Sequence, residues 1–331
     1  MVGPQPIPLI GVSVLSKMGE NSEAKETSKT GAADPQRAAR LMRLATYASV
    51  STAILLVTTK FGAWIATDSV AMLSALIDSA LDVLASLVNL LAVRKALQPA
   101  DQEHRFGHGK AEALAGLGQA AFISVSAVFL LFQATRRLAS PEALENSGIG
   151  IAVMVLAIVA TLALVIFQRY VVRQTGSLAI AADSLHFRSD LLLNASVIAA
   201  LILSASFGWR SADPIFAIGI AAVVLFSAWR ILRMAFDTLM DREFSDDLRE
   251  RIRSITLSHP EVRDMHDLRT RKSGTNSFIQ LHLDLAVDIS LLRAHEIADA
   301  VEAKIKETFP EAEVMIHQDP EGIVENRADF A

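Results

Sequence analysis

Two strongly apolar segments of this 331-residue chain each contain a pair of ionisable side chains. Asp78 and Asp82 lie in one segment, His186 and Asp190 lie in the other, and each pair has i, i+4 spacing. Residues four apart share one face of a helix, about one turn from each other. Three carboxylates and one imidazole supply four ligands at tetrahedral corners. This set suits Zn²⁺ and, with small distortions, Cd²⁺, Fe²⁺ or Mn²⁺.

An ionisable side chain at the centre of a bilayer costs about 2.5–3.5 kcal/mol even on the most lenient scale, so such groups are usually functional. The alternative is a network of ion pairs, which needs basic partners. Lys60 and Arg188 are the candidates, but Arg188 follows His186 by two residues and therefore lies on another helix face. Asp183 shares the face of His186 one turn earlier. It is interpreted as a proton relay, a cytoplasmic entry group or an ordinary charge near the helix start.

A second group of candidate ligands lies in the polar segment PADQEHRFGHGK, residues 99–110. Asp101, His104 and His108 can converge on one ion, because two glycines allow the segment to fold around it. A solvated cytoplasmic loop is the alternative interpretation.

Five of the eight histidines lie in the last third of the chain: His259, His266, His282, His295 and His317. His282 is on the polar side of an alternating segment. His317 and Asp319 are two apart, so in a strand they point the same way. Neighbouring strands would then form a one- or two-metal site, with scattered surface histidines as the alternative. His259, which precedes Pro260, is interpreted as an ordinary helix-end residue.

Composition excludes several classes of protein and of site. The chain has no cysteine, so any bound metal must take nitrogen and oxygen ligands. The net charge is −5 and the basic residues are dispersed, which argues against nucleic-acid binding. His295 and Glu296 resemble a zinc-protease helix, but Asp299 stands where the second histidine belongs. We therefore predict that the protein is not an enzyme.

The two pairs that open this section, Asp78 with Asp82 and His186 with Asp190, lie in segments long enough to cross a membrane. Residues 113–135, 146–168 and 191–209 contain no Asp, Glu, Lys or Arg, and about 20 apolar residues span a bilayer core. Six spans are predicted, at about 42–66, 70–95, 112–136, 148–171, 178–207 and 213–235. Lys and Arg are concentrated before the first span, after the second and after the fourth, which places both termini in the cytoplasm.

The composition changes near Asp241, where the chain becomes rich in charge. Residues 278–285 alternate strictly between apolar and polar side chains, which is the pattern of a half-buried strand. The predicted element order is α-β-β-α-β, a small cytosolic α+β domain after an all-α six-helix transmembrane domain. We expect a disordered cytoplasmic tail over 1–38, the transmembrane domain over 39–238, the cytosolic domain over 239–323 and a tail over 324–331.

Five short motifs together resemble the cation diffusion facilitator family over about residues 40–323. They are SVAMLSALIDSALD (69–82), HFRSD (186–190), FGHGKAE (106–112), HDLRTR (266–271) and IHQDP (316–320). Arg188 departs from the family pattern, in which a neutral polar residue is expected, and the first 38 residues have no recognised counterpart. The resemblance implies a homodimeric exporter in the bacterial inner membrane, with a ferredoxin- or metallochaperone-like cytosolic domain.

The resemblance also implies roles for individual residues. Asp78, Asp82, His186 and Asp190 become the transport site, and Asp101, His104 and His108 become a loop site. A cytosolic site that braces the dimer is formed by His266, His282, His317 and Asp319, with His295 and the carbonyl of Gln318. Lys110 is expected to pair with Asp241 at the junction of membrane and cytosol.

The charges predict a mechanism. Carboxylates around an empty site repel one another and so gain proton affinity. A metal ion must displace those protons, because its ligands bind deprotonated. Histidine suits proton transfer near neutral pH. We therefore expect a Zn²⁺/H⁺ antiporter that works by alternating access, with Fe²⁺, Mn²⁺ or Cd²⁺ as the alternative main substrate. A membrane-bound metal sensor is the alternative from another functional class.

Overall fold

The computed structural model describes residues 35–68, 70–139, 148–209 and 211–322. The tails predicted over 1–38 and 324–331 therefore lie almost wholly outside the described residues. The exception is at the start of the first helix, α1, which spans Pro35–Thr67. Proline is favoured in the first turn of a helix because its φ is already helical and its missing N–H is not needed there. Residues 35–38 are consequently helical rather than disordered.

Six long helices make up the membrane part, as the apolar segments predict. They are α1 (Pro35–Thr67), α2 (Val70–Ala96), α3 (Lys110–Ala139), α4 (Gly148–Thr175), α5 (Leu178–Phe207) and α6 (Ala212–Leu239). Each is long and apolar enough to cross a membrane. The prediction of six spans is confirmed.

Helix α5, which carries two of the candidate ligands, is the central helix of the six. Its residues enter three separate buried apolar clusters. Ala182 and Leu185 pack with α3 and α6, Ile180 packs with α1, α2 and α4, and Phe187 packs with α1 and α4. The ligands on α5 are therefore held inside the bundle.

The start of α5 is fixed by two capping contacts. The Ser177 hydroxyl accepts a hydrogen bond from the backbone N–H of Ile180 at 3.2 Å, which satisfies a donor that the first turn of a helix leaves free. Glu112, a buried residue in the first turn of α3, accepts from the N–H of Ala179 at 3.5 Å. A carboxylate is favourable at this positive end of the helix. The beginning of α3 is thereby tied to the beginning of α5.

The cytosolic part has the predicted order α-β-β-α-β, with α7 (Asp246–Leu257), β1 (Asp264–Ser273), β2 (Asn276–Leu285), α8 (Leu291–Thr308) and β3 (Ala312–Pro320). β2 is the central strand, antiparallel to β1 and parallel to β3. The apolar side of β2, with Ile279, Leu281, Leu283 and Leu285, is fully buried against both helices. Its other side carries Gln280, His282 and Asp284, as the alternation predicts.

Candidate metal sites

The membrane helices bring Asp82, His186 and Asp190 together. Their ligand atoms all lie within 4.8 Å of one another. Nε2 of His186 is 2.9 Å from Oδ1 of Asp82 on α2 and 3.7 Å from Oδ2 of Asp190, one turn further along α5. The imidazole is buried and both carboxylates are partly buried. Two carboxylates and one imidazole directed at one point can hold a divalent cation.

Asp78 does not join this group of three. It lies one turn before Asp82 on α2, and its side chain is exposed in the single chain. The reason is the packing of α2, which lies mainly along α1 and touches α5 over a short stretch. Only the turn of α2 that carries Asp82 therefore faces His186 and Asp190 of α5. The i, i+4 spacing places both aspartates on one face of α2, but it does not determine how much of that face α5 reaches.

The surroundings of the three ligands are apolar on one side and basic on another. The rings of Phe122 and Phe187 lie 6.2 and 5.4 Å from the imidazole of His186. Lys60 of α1 donates a hydrogen bond to the hydroxyl of Ser79, next to Asp78. Arg188 is exposed on the outside of α5. Of the two basic residues at this depth, Lys60 is thus the one near the carboxylates.

The segment between α2 and α3 brings Asp101, His104 and His108 within 4.8 Å of one another. The ring of His108 is buried, and its Nε2 lies 3.3 Å from Oδ2 of Asp101. Oδ1 of Asp101 accepts hydrogen bonds from the backbone N–H groups of His104, at 2.7 Å, and Glu103, at 3.0 Å. The bond from the His104 N–H is the main cause that lowers the pKa of Asp101 from its ordinary value. The carboxylate is therefore ready to bind a cation at neutral pH.

The cytosolic sheet brings together His266 of β1, His282 of β2 and Asp319 of β3, again within 4.8 Å. The register of the sheet produces this arrangement, because His282 is paired with His266 on one side and with His317 on the other. Asp319 lies between the imidazoles, with Oδ2 2.7 Å from Nδ1 of His282 and Oδ1 3.1 Å from Nε2 of His317. Four potential ligands from three strands therefore share one face.

Two family models match the chain in succession. The model of the cation efflux transmembrane domain matches residues 46–240, and that of the cation efflux protein cytoplasmic domain matches residues 244–321. The chain belongs to the cation efflux family. As a member of the cation efflux family, it is a multi-pass membrane protein that exports metal cations, and it is a transporter rather than a catalytic enzyme.

Curated members of the cation efflux family are similar to this chain over most of its length. The cation-efflux pump FieF of Klebsiella pneumoniae is 48% identical over 285 residues, which is 86% of this chain and 95% of that protein. The FieF pump of Yersinia enterocolitica is 49% identical over 291 residues, 88% of this chain and 96% of that protein. A solved structure, the metal-bound C-terminal domain of the CzcD transporter from Thermotoga maritima, is 29% identical. It covers 24% of this chain and 93% of that chain, with a TM-score of 0.23.

Three other residues predicted for the cytosolic site of this cation efflux protein are not part of the group of His266, His282 and Asp319. His295 lies on α8 with an exposed side chain, and its Nε2 is 3.5 Å from Asp299 of the same helix. His317 is close to Asp319 but also exposed. Gln318, whose backbone carbonyl is the predicted ligand, is paired with Leu283 in the register of β2 and β3, and its side chain lies on the side of β3 opposite to His317. A single chain therefore does not bring His295 into the cluster.

Two acidic side chains that were not predicted from the sequence lie beside the cytosolic cluster. Asp284 lies 3.4 Å from Nδ1 of His266, and Asp267 lies 3.8 Å from Nε2 of His282. The alternation in β2 already places Asp284 on the same side as His282 and was the available signal. Asp267 follows a break in the strand register after His266 and has a left-handed backbone, with φ of +47°. No periodic pattern in the sequence reveals it.

The loop site lies against the cytosolic sheet. Gly109, next to His108, packs on the backbone of the β1–β2 turn, so closely that a Cβ atom at this position would lie 2.2 Å from the carbonyl oxygen of Ser273. Beside this contact, the guanidinium of Arg271 is 4.7 Å from the ring of Phe106 and 4.5 Å from that of Phe278. Nearby, Lys110 Nζ lies 2.9 Å from Asp241 Oδ2.

Proposed function

We propose that the protein exports Zn²⁺ from the cytoplasm in exchange for protons, through a site formed by Asp82, His186 and Asp190. The observation that carries this proposal is the convergence of three ligand atoms within 4.8 Å between two membrane helices. Charged groups at this depth are tolerated where they serve an ion pathway. We include Asp78 as the fourth ligand, which α2 brings in when it moves closer to α5.

The ligand types support zinc as the substrate. Zn²⁺ prefers four nitrogen or oxygen ligands at about 2.0–2.2 Å in a tetrahedral arrangement, when no thiolate is present. One imidazole and three carboxylates satisfy that preference. Fe²⁺, Mn²⁺ and Cd²⁺ accept the same atoms with other geometries, and they are the alternative substrates.

Proton exchange follows from the charge of the proposed site. Two or three carboxylates in one apolar cavity repel one another, and each proton or metal ion that binds relieves this repulsion. Metal ligands bind in their deprotonated form, so metal and protons compete for the same atoms. A transporter that opens alternately to each side then carries Zn²⁺ on one stroke and protons on the other.

The other two clusters are proposed to regulate transport. The loop cluster of Asp101, His104 and His108 lies between the membrane part and the sheet, where a bound ion would hold the two together. The cytosolic cluster is proposed to brace a homodimer through residues 239–323, with the membrane domain over 39–238 carrying the ions. His295, remote from the cluster in a single chain, is proposed to reach it in the dimer. Both termini face the cytoplasm of a bacterial inner membrane.

Zinc flux into proteoliposomes tests the proposal. An imposed proton gradient is expected to drive Zn²⁺ uptake, and Asp82→Asn and Asp190→Asn are expected to abolish it while the purified protein stays folded. Asp213→Asn is the control, because Asp213 forms an ion pair with Arg137 at the other end of the bundle and such pairs contribute little. Competition by Fe²⁺, Mn²⁺ and Cd²⁺ under anaerobic conditions ranks the substrates. Zn²⁺ uptake that does not depend on the proton gradient, or that persists in both Asp82→Asn and Asp190→Asn, would contradict the proposal.

A further inference from the structure

A fully buried carboxylate lies one helical turn before the transport ligands of α5. Asp183 is not exposed at all, and its oxygens accept hydrogen bonds from three side chains on three other helices. The hydroxyl of Ser49 on α1 donates to Oδ2, Nε2 of Gln168 on α4 donates to Oδ2 at 2.7 Å, and Nε2 of Gln119 on α3 donates to Oδ1 at 3.1 Å. None of the three interpretations based on the sequence, a proton relay, a cytoplasmic entry group or an ordinary charge near the helix start, includes such a junction of helices.

The contacts around Asp183 form a closed network. Nε2 of Gln168 also donates to the hydroxyl of Ser49 at 2.9 Å, so these two residues and Asp183 form a triangle. All four members of the network are buried. Inside a bundle of low dielectric, these bonds hold the helices in one arrangement, because separating the helices would leave the Asp183 carboxylate buried without its donors.

The network fixes the helix on which two proposed ligands depend. His186 and Asp190 follow Asp183 by three and seven residues, and residues at these spacings share one helix face. An α-helix turns by about 100° and rises 1.5 Å per residue. A small rotation of α5 would therefore move Nε2 of His186 away from Oδ1 of Asp82, which is now 2.9 Å away on α2. The three helices that hold Asp183 do not include α2.

We infer that Asp183 is a positioning residue for metal transport, which anchors α5 to α1, α3 and α4 so that His186 and Asp190 face Asp82. The inference rests on the proposed transport site. It assigns Asp183 no contact with the ion and no proton transfer.

The free oxygen of Gln168 offers a way to distinguish an anchor from a proton carrier. Oε1 of Gln168 is buried and has no hydrogen-bond partner among the described residues. In an Asp183→Asn variant, the Gln168 amide can turn over and present this oxygen to the new amide group, while the Ser49 hydroxyl rotates to adapt. The anchor would survive this change, whereas a proton carrier would lose its function. Asp183→Ala removes the anchor in both cases.

The experiment measures the KM and maximal rate of proton-driven Zn²⁺ uptake in proteoliposomes. We expect Asp183→Ala to raise the KM for Zn²⁺ about 10-fold or more, as loss of supporting contacts does at other metal sites, and Asp183→Asn to recover most of that affinity. Ser49→Ala should also raise the KM. Its matched control is Thr46→Val, because Thr46 is equally buried on α1. Both hydroxyls bond to a carbonyl of their own helix, whereas Ser49 also donates to Asp183.

Two results would overturn the inference. One is an Asp183→Asn protein as defective as Asp183→Ala, which would make the ionisable group itself essential. The other is an unchanged KM in folded Asp183→Ala or Ser49→Ala protein. If Asp183→Ala does not fold, the KM of Ser49→Ala compared with that of Thr46→Val tests the inference. Failure of the proposed function is separate, because it appears as flux that persists in the Asp82→Asn and Asp190→Asn variants.

Discussion

The contact between Gly109 and the β1–β2 turn allows a quantitative prediction. In Gly109→Ala the new methyl carbon would lie 2.2 Å from the carbonyl oxygen of Ser273, 2.4 Å from its carbonyl carbon and 2.8 Å from the nitrogen of Gly274. Carbon atoms in contact prefer a separation of about 3.5–4.0 Å. The β1–β2 turn must therefore move away from residue 109 by more than about 1 Å. Overpacking of this kind costs about 1–3 kcal/mol. A cost of about 2 kcal/mol lowers the population of the docked sheet relative to the undocked one roughly 30-fold.

Pulsed electron paramagnetic resonance measures this change directly. The chain has no cysteine, so spin labels can be attached to Gln102→Cys in the loop and Thr275→Cys in the turn, both of which are exposed. We expect a narrow distance distribution in the otherwise unsubstituted protein. Gly109→Ala should broaden it and move it to longer distances, because the loop and the turn can no longer touch.

Gly118→Ala is the matched control for this experiment. Gly118 lies in the same helix as the residues that follow Gly109, and nothing lies within 4 Å of the position a Cβ atom would take there. Alanine in the middle of a helix is about 0.5–1 kcal/mol more favourable than glycine, so the helix should gain stability without any change in the label distances. A narrow, unshifted distribution in Gly109→Ala would refute the argument from close backbone contact.

Three further predictions concern the clusters and one surface ion pair. His104→Ala should remove one bound Zn²⁺ per chain in isothermal titration calorimetry, and an unchanged stoichiometry would mean that the loop cluster does not bind zinc. His282→Ala should weaken the dimer in analytical ultracentrifugation more than it slows Zn²⁺ flux, and the reverse order would contradict a bracing role. The hydrogen bond from Arg293 lowers the pKa of Glu261, so the pair stabilises the fold above the ordinary glutamate value of about 4.3 and this contribution is lost as the pH falls through the lowered value. Glu261→Gln should thus destabilise the protein slightly at pH 7, and the difference in denaturation midpoint from the unsubstituted protein should shrink as the pH falls below the ordinary glutamate value. A difference that does not shrink with acid would show that the Glu261–Arg293 ion pair does not contribute to stability.

Local periodicity was enough to predict most of the architecture. Charge-free length predicted the six helices, and alternation predicted which side of β2 is buried, because both patterns reflect the solvent that each side chain meets. The i, i+4 spacing also predicted that His186 and Asp190 lie one turn apart on α5, because that relation is a property of a single helix. The shared face of His317 and Asp319 on β3 was predictable for the same reason, since residues two apart in a strand point the same way.

The remaining features depend on how separate elements pack, which a single sequence pattern does not record. Asp78 is spaced from Asp82 as His186 is from Asp190, yet the short contact of α2 with α5 leaves it outside the group of three. His295 lies on the exposed side of α8, away from the sheet face that carries the other histidines. The network around Asp183 joins residues up to 134 positions apart. The close approach at Gly109 is to backbone atoms of Ser273 and Gly274. Backbone atoms are the same in every residue type, so no sequence pattern predicts this contact.

The parallel pairing of β2 with β3 has a consequence for the order of events during synthesis. Asp319 and His317 lie on the strand that follows α8, and they meet His282 only when β3 has returned alongside β2. A shift of the pairing by one residue would turn both side chains to the opposite face. On a nascent chain, Asp319 and His317 can therefore join His282 only after the last strand is made and correctly aligned. The full group of four side chains, His266, His282, His317 and Asp319, therefore exists only in the completed sheet.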